Sequence, residues 1–123
     1  MYELSVQREF NASHAIVMQG ELEESHRHDW RVVLFVKGES LDQDGLVCDF
    51  HAVECALDAV IAPFVDGDFN VTPPFDLINP SAELIAEHIA QAVQVKLVNL
   101  AQVDRVTITE APGCQATYFL PMA

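Results

Sequence analysis

Hydrophobic and polar residues alternate along residues 2–10, and this period of two predicts a β-strand with one buried face. Residues 28–39 (HDWRVVLFVKGE) form a more continuous apolar run, which predicts a second, largely buried strand. The segment 11–27 between them is rich in small and acidic residues, so we expect a loop there. Residues 40–45 (SLDQDG) are typical of a turn, because their Asp-Gly pair tolerates a positive φ.

Two later segments show helical spacing. Apolar residues recur at i, i+3 and i+4 across residues 50–64, which predicts an amphipathic helix closed near a proline. After a proline-bearing loop at 65–78, Asn79 is the expected N-cap of a second helix, with Pro80 in the first helical position. We expect this helix to extend to about Val95.

Residues 104–111 and 115–120 have the pattern of two further strands, joined by a loop of hairpin length. The predicted order is therefore β-β-α-α-β-β in one domain that spans residues 1–123. Four strands connected in hairpins favour an α+β fold: a four-stranded antiparallel sheet with both helices packed on one face. So small a sheet has edges to cover, and pairing with another subunit is one way to cover them.

Composition and charge exclude several partners. The chain has 123 residues, half of them apolar, and a formal charge of −13 from 19 acidic and 6 basic side chains. Such a surface repels nucleic acid phosphates and anionic lipids, so we expect neither partner. No apolar run approaches the roughly 20 residues of a membrane span and no export signal is visible, which favours a cytoplasmic protein. Three cysteines without a CxxC pair indicate buried or half-buried thiols rather than disulfides.

Three histidines are candidates for metal chemistry. His26 and His28 flank Arg27 at the start of the second predicted strand, where residues i and i+2 point to the same side. His14 follows the first predicted strand, which in a hairpin returns beside the second. Three imidazoles without a cysteine ligand fit Zn²⁺ with a fourth position left open, although the spacing alone also fits ordinary polar histidines. The other two histidines have no such arrangement and are expected at helix surfaces or partly buried: His51 and His88.

Several motifs together carry a resemblance. These are FNASHAIVMQG, HRHDWRVVLFVKGE, DGLVCDF, NPSAELIAEHIA and TEAPGCQATY. In this order, over nearly the whole chain, they resemble the 6-pyruvoyl-tetrahydropterin synthase and 6-carboxytetrahydropterin synthase family. The resemblance implies the T-fold, with the β-β-α-α-β-β order inferred above. It also implies assembly into multimeric barrels, commonly homohexamers, with active sites at subunit interfaces.

The resemblance also implies roles for individual residues. His14, His26 and His28 match the three zinc ligands of the family. Glu110 matches the carboxylate that anchors the pterin ring, a task suited to a group with two acceptor oxygens. Asp49 matches a family position at the start of the first helix, where we interpret it as a capping residue.

The sequence departs from the family pattern at the expected proton carriers. The segment before the zinc pair lacks the usual cysteine, and Glu23 stands at the offset used by a branch with a catalytic glutamate. On charge pattern alone, this ELEE segment is also typical of a solvated acidic loop. In the family's Asp-His pair Asp66 remains, but Gly67 replaces the histidine, and Asp68 or a neighbouring subunit's histidine would have to substitute.

A third departure is Arg27, which replaces a glycine between the two histidines of the zinc pair. A strand tolerates the change because the middle side chain points away from the metal. We expect this cation to meet a phosphate or to pair with Asp29 or Glu24.

The resemblance implies chemistry on 7,8-dihydroneopterin triphosphate or a related dihydropterin. The first hypothesis is a zinc-dependent lyase of the pterin side chain with Glu23 as base, and the glutamate branch implies retro-aldol cleavage in folate synthesis. The second is a relative that binds zinc and a pterin or purine but has lost or altered catalysis, and the third is a small interaction domain. Six cationic residues leave few partners for a triphosphate, which favours a substrate with fewer phosphates.

Overall fold

Two long antiparallel strands form the centre of the sheet. In the computed structural model, which describes residues 1–121, β1 (Tyr2–His14) pairs with β4 (His26–Gly38) along its entire length. Tyr2 lies opposite Gly38 and His14 lies opposite His26. The hairpin therefore brings three histidine positions to one end of the sheet.

The remaining strands and α-helices are β2 (Val17–Met18), β3 (Glu21–Leu22), α1 (Phe50–Ile61), β5 (Gly67–Asp68), α2 (Ala82–Lys96), β6 (Gln102–Ala111) and β7 (Cys114–Phe119). The main sheet has five strands in the order β5-β1-β4-β6-β7, and all neighbouring pairs are antiparallel except β1 and β5. Strands β2 and β3 form a separate hairpin, which lies between the two long strands in sequence.

The core lies between the helices and one face of the sheet. Alternate residues of β4 are fully buried, as the period of two requires: Trp30, Val32, Leu34 and Val36. Each buried side chain of this size stabilises the fold by about 1.5–3 kcal/mol relative to an exposed one. The helices cover this face with residues at helical spacing: Val53, Leu57 and Val60 from α1, and Ile85, Ile89 and Val93 from α2.

The predicted α+β class and element order are confirmed, but the first loop is shorter than predicted. Strand β1 continues to His14 and β4 begins at His26, so most of the predicted loop 11–27 is a strand or a short hairpin. Residues 11–14 keep the alternation of burial, with Ala12 and His14 buried. Because residues 11–14 are small or polar, their alternation of burial does not show as an alternation of hydrophobicity in the sequence.

The start of the second helix was also predicted wrongly. Ser81, not Asn79, caps α2, since its Oγ accepts a hydrogen bond of 3.2 Å from the backbone N–H of Leu84. Pro80 therefore lies outside the helix. The side chain of Asn79 is used elsewhere, on the backbone of Val17. For the first helix the expected cap is confirmed, because Asp49 accepts a hydrogen bond from the backbone N–H of His51.

The first helix ends earlier than predicted, and a fifth strand was not foreseen. Regular α-helix stops at Ile61 and a 3₁₀ turn continues to Phe64. Gly67 and Asp68 then pair with Ala12 and Ser13 as a two-residue parallel strand. A strand of two residues has no hydrophobic period, so the sequence could not indicate it.

Burial of the thiols was predicted correctly at one of three positions. Cys48 is buried, whereas Cys55 and Cys114 are exposed, and all three are free. Burial raises the pKa of the Cys48 thiol. Among the helices of residues 1–121, none is long and apolar enough to cross a membrane.

His88 is partly buried, as expected, with its ring edge-on to Phe64 and Phe75. Desolvation lowers its pKa from the ordinary value of 6.5. The unfolded chain therefore binds a proton at His88 more readily than the folded chain does. As a result, the free energy of unfolding falls as the pH drops below the pKa of His88 in the unfolded chain.

We expect His88→Phe to reduce the acid sensitivity of the fold. The midpoint of thermal unfolding should fall less between about pH 7.5 and about pH 5.5 than it does for the unmodified chain. Scanning calorimetry at several pH values measures how the unfolding midpoint depends on pH in the variant and in the unmodified chain. An equal dependence in both would mean that protonation of His88 does not oppose folding.

Candidate metal centre

Three histidines converge where β1 meets the start of β4. His14 pairs directly with His26, and His28 projects from the same side of β4 two residues later. The Nε2 atoms of His14 and His26 are 3.1 Å apart, and one ring nitrogen from each of the three residues lies within 4.8 Å of the others. The predicted grouping of these residues is confirmed.

Backbone carbonyls fix the tautomers of two of these histidines. His14 Nδ1 is 2.9 Å from the carbonyl oxygen of Pro80, and His26 Nδ1 is 3.1 Å from that of Glu24. A carbonyl can only accept, so each Nδ1 carries the proton and each Nε2 of the neutral ring keeps a free lone pair. Metal-binding histidines are commonly oriented by such a bond from the other ring nitrogen.

The third histidine offers an unsatisfied nitrogen. His28 Nε2 is buried and has no hydrogen-bond partner among residues 1–121. Desolvation lowers the pKa of His28, which favours the neutral imidazole that a metal requires. Two nitrogens bound to one tetrahedral zinc ion lie about 3.3 Å apart, close to the separation of His14 and His26. The donor set therefore fits a divalent metal held by three imidazoles.

Trp30 supports the cluster from the core side. Its indole N–H donates a hydrogen bond of 3.0 Å to the carbonyl oxygen of Ala12. Its ring lies edge-on to His14 and His28, with centroid distances of 4.9 and 5.4 Å. This fully buried side chain restricts the two imidazoles to one orientation.

Both predicted functional glutamates lie beside the histidines. Glu110 Oε1 is 3.1 Å from His14 Nε2, and Glu23 Oε1 is 3.7 Å from His26 Nδ1. The two side chains are 30% and 31% exposed, so each carboxylate can meet both solvent and a bound molecule. Glu23 belongs to the segment between β3 and β4, whereas Glu110 lies near the end of β6.

A cleft of about 710 Å³ opens next to Glu110. Its walls come from the segment after β1, the start of α2 and the β6–β7 turn. The lining residues are Ile16, Val17, Met18, Asn79, Ser81, Ala82, Glu83, Glu110, Gly113, Cys114, Gln115 and Ala116. The cleft is large enough for a bicyclic ring with a short side chain.

The backbone of residues 15–17, which follows His14, is held by three side chains. Asn70 pairs with both the N–H and the carbonyl of Ala15, and Asn79 pairs in the same way with Val17. Between them, the Glu23 carboxylate accepts a hydrogen bond of 3.1 Å from the N–H of Ile16. The backbone N–H of Glu23 donates to the Ile16 carbonyl at 3.0 Å. The orientation of Glu23 is therefore coupled to this segment.

Replacing Asn70 should destabilise the protein more than replacing Asn79. Ala15 is 6% exposed, so Asn70→Ala leaves its buried N–H and carbonyl without partners, at a cost of about 1–3 kcal/mol. Val17 is 46% exposed, and water can replace Asn79 there, so we expect a loss below about 1 kcal/mol. Urea unfolding of both alanine variants measures the difference, and a larger loss for Asn79→Ala would contradict this explanation.

The remaining predicted acid–base residue stands apart from the histidines. Asp66 is exposed with a φ of 57°, and its backbone N–H donates to the Asn11 carbonyl. Its carboxylate has no ion-pair or hydrogen-bond partner among residues 1–121. Asp68, which would have to substitute for the family's histidine, accepts a hydrogen bond from the backbone N–H of Asn70. At Gly67 a Cβ atom would come within 3.3 Å of the Phe64 carbonyl oxygen, so a larger side chain would require the backbone to shift.

Arg27 points away from the histidines, as its position in the strand requires. It donates to the side chain of Asn11, and Asn11 in turn donates to Asp29. The expected ion pair with Asp29 or Glu24 is not formed within residues 1–121: the Asn11 amide stands between Arg27 and Asp29, and no ion pair joins Arg27 to Glu24. Contact of Arg27 with a phosphate stays a prediction. No sequence pattern indicated the orienting roles of Asn70, Asn79 and Trp30.

Of two comparisons of the sequence with known proteins, one gives a match. The chain matches the family model described as 6-pyruvoyl tetrahydropterin synthase over residues 3–120. A search of curated proteins finds no match.

Three solved structures are similar over nearly their whole length. The 6-pyruvoyl tetrahydropterin synthase of Caenorhabditis elegans has 18% identity, a TM-score of 0.83 and 98% of each chain covered. That of Plasmodium vivax has 20% identity, a TM-score of 0.80 and the same coverage. A variant of the P. vivax protein, in which a glutamate described as a catalytic residue is replaced by alanine, has 19% identity, a TM-score of 0.77 and 98% of each chain covered. These likenesses confirm the expected fold.

Proposed function

Because this chain belongs to the 6-pyruvoyl tetrahydropterin synthase family, we propose that it is a zinc-dependent lyase acting on the side chain of a dihydroneopterin-type pterin. The observation that carries this proposal is the grouping of three metal-competent histidines with two half-buried carboxylates. Zinc suits a site of neutral imidazoles that leaves a coordination position open. When bound, it supplies Lewis-acid polarisation of the oxygens on the substrate side chain.

Glu110 is proposed to bind the pterin ring. A carboxylate offers two acceptor oxygens to the adjacent 2-amino and N3 hydrogens of a pterin. Its position on the wall of the cleft supports this role, because a ring seated there has its side chain directed to the histidine cluster.

Glu23 is proposed as the general base. In a retro-aldol cleavage, it takes the proton of the 2′-hydroxyl while the C1′–C2′ bond breaks and a carbonyl forms at C2′. The electron pair of the broken bond moves to C1′ and into the dihydropterin ring, and C1′ then gains a proton. The hydrogen bond from the Ile16 N–H holds one carboxylate oxygen in place. A glutamate also serves as a catalytic residue in the P. vivax protein, by the description of its variant.

The geometry also favours a second candidate, a zinc- and pterin-binding relative without turnover. Gly67 provides no histidine, and the Asp66 carboxylate contacts no group of the cluster. A positioned acid or base typically contributes about 10²–10⁴ in rate, so losing the second proton carrier can reduce catalysis to a low level.

We further propose a homo-oligomer, such as the hexamer common in the family, located in the cytoplasm. Strand β7 is an edge of the sheet, and β1 is covered only at Ala12 and Ser13 by β5. Such unpaired strand edges are suited to pairing with further copies of the chain.

The test is direct incubation of the zinc-loaded protein with 7,8-dihydroneopterin and, separately, with its triphosphate. Mass spectrometry then distinguishes side-chain cleavage from triphosphate elimination. Cleavage or elimination with either compound supports a lyase. Tight binding of both compounds without any product would establish the second candidate instead.

A further inference from the structure

The chain has only six lysine and arginine residues, and all six lie within residues 1–121. They are Arg8, Arg27, Arg31, Lys37, Lys96 and Arg105. Because a homo-oligomer contains only copies of this chain, every cationic side chain that can reach a substrate is one of these six. Their placement therefore decides whether the site can hold a polyphosphate.

Four of the six are already neutralised by carboxylates. Each of these cations lies 3.1 Å or less from an Asp or Glu oxygen. The pairs are Arg8 with Glu54 and Asp58, Arg31 with Glu9, Lys37 with Asp104, and Arg105 with Glu3 and Asp104.

Three cations lie far from the histidines. Lys37 is at the opposite end of β4 from His26, about 36 Å away along an extended strand. Arg105 pairs with Asp104 and Glu3 near that same end. Lys96 ends α2, a helix about 22 Å long whose first residues line the cleft.

The cations close to the cluster in sequence face the other side of the sheet. Arg27 and Arg31 alternate with His26 and His28 along β4, so their side chains project away from the histidines. Arg31 also lines a depression of about 390 Å³ on that side, together with the carboxylates of Glu9 and Asp29. In this depression two carboxylates outnumber the single guanidinium, so it too carries a net negative charge.

The site itself carries balanced or negative charge. Two carboxylates, Glu23 and Glu110, lie beside the histidines, and their two negative charges equal the two positive charges of a zinc ion. The cleft adds Glu83 and no cation. The cleft therefore has no positive charges to stabilise a bound molecule with several negative charges. A neutral polyol side chain does not require them.

From this distribution we propose that the substrate is a dihydropterin whose trihydroxypropyl side chain is not phosphorylated, namely 7,8-dihydroneopterin rather than its triphosphate. This inference rests on the proposed lyase function. Retro-aldol cleavage of this substrate gives 6-hydroxymethyl-7,8-dihydropterin and glycolaldehyde: the C1′–C2′ bond breaks, the 2′-hydroxyl proton leaves and C1′ gains a proton. A phosphate-removing reaction must then act before this enzyme.

The experiment compares kcat/KM for 7,8-dihydroneopterin and its triphosphate on the zinc-loaded protein, at low and at high salt. We expect a preference for dihydroneopterin of at least about 10-fold at low salt, narrowing at high salt because screening weakens repulsion. Equal or better use of the triphosphate overturns this inference and leaves the lyase proposal intact. No product from either compound overturns the lyase proposal itself.

Charge reversal in the cleft provides a matched pair of variants. Glu83→Lys should raise kcat/KM for the triphosphate several-fold relative to dihydroneopterin, since Glu83 is exposed on the cleft wall. Glu39→Lys makes the same change in net charge next to the remote end of β4 and should leave the ratio unchanged. Equal shifts in both variants would show that net charge, not the local field of the cleft, sets the preference, and this would overturn the inference.

Discussion

Replacing His28 by alanine should remove most of the zinc that the purified protein retains. We expect about one zinc ion per chain in the unmodified protein and a loss of affinity of at least about 100-fold in His28→Ala. The physical reason is the buried His28 Nε2, which has no hydrogen-bond partner within residues 1–121 and is therefore free to bind a metal. Elemental analysis and competition with a chromogenic chelator measure stoichiometry and affinity.

The matched control for this experiment is His51→Ala. His51 is exposed on α1 and does not belong to the cluster, so the variant should retain the full zinc content. If His28→Ala retained zinc as well as His51→Ala does, the three histidines would not be the metal site.

The sequence allowed the centre of the fold to be predicted because its longest elements obey simple periods. Strand β4 and helix α2 each present a regular apolar face to the same core, and the predicted order of elements followed from them. The errors fall where single side-chain hydrogen bonds, some of them between residues distant in sequence, determine the structure. Ser81 rather than Asn79 caps α2, because the amide of Asn79 pairs with the backbone of Val17, which is distant in sequence.

The candidate site was predictable where it depends on strand geometry. Residues i and i+2 of a strand share a side, so His26 and His28 had to converge, and a hairpin had to return His14 beside them. The orientation of each imidazole was not predictable. It depends on the Pro80 carbonyl and on Trp30, which reach the cluster only through tertiary packing.

Under the proposed lyase function, Gly67 leaves Glu23 as the proposed base without the histidine partner that the family resemblance implies. A second proton carrier in the position of the family's histidine is absent, and Asp66 makes no contact with the cluster. The proposed proton transfer at the substrate side chain therefore rests on Glu23, whose carboxylate lies 3.7 Å from His26 Nδ1. The hydrogen bond from Ile16 leaves one oxygen of this carboxylate as the free acceptor.

Replacing Glu23 by glutamine should abolish turnover while sparing binding. Glutamine keeps an oxygen that accepts the Ile16 N–H, so the segment after His14 retains its geometry, but the neutral amide cannot take a proton. We expect kcat to fall by about 10²–10⁴, with zinc content and pterin affinity changed little. Glu24→Gln is the matched control, since Glu24 is exposed and contributes only its backbone carbonyl to His26. Product formation by mass spectrometry and pterin binding by fluorescence separate the two effects. Undiminished turnover in Glu23→Gln would remove Glu23 as the base and leave the histidine cluster with a different proton acceptor.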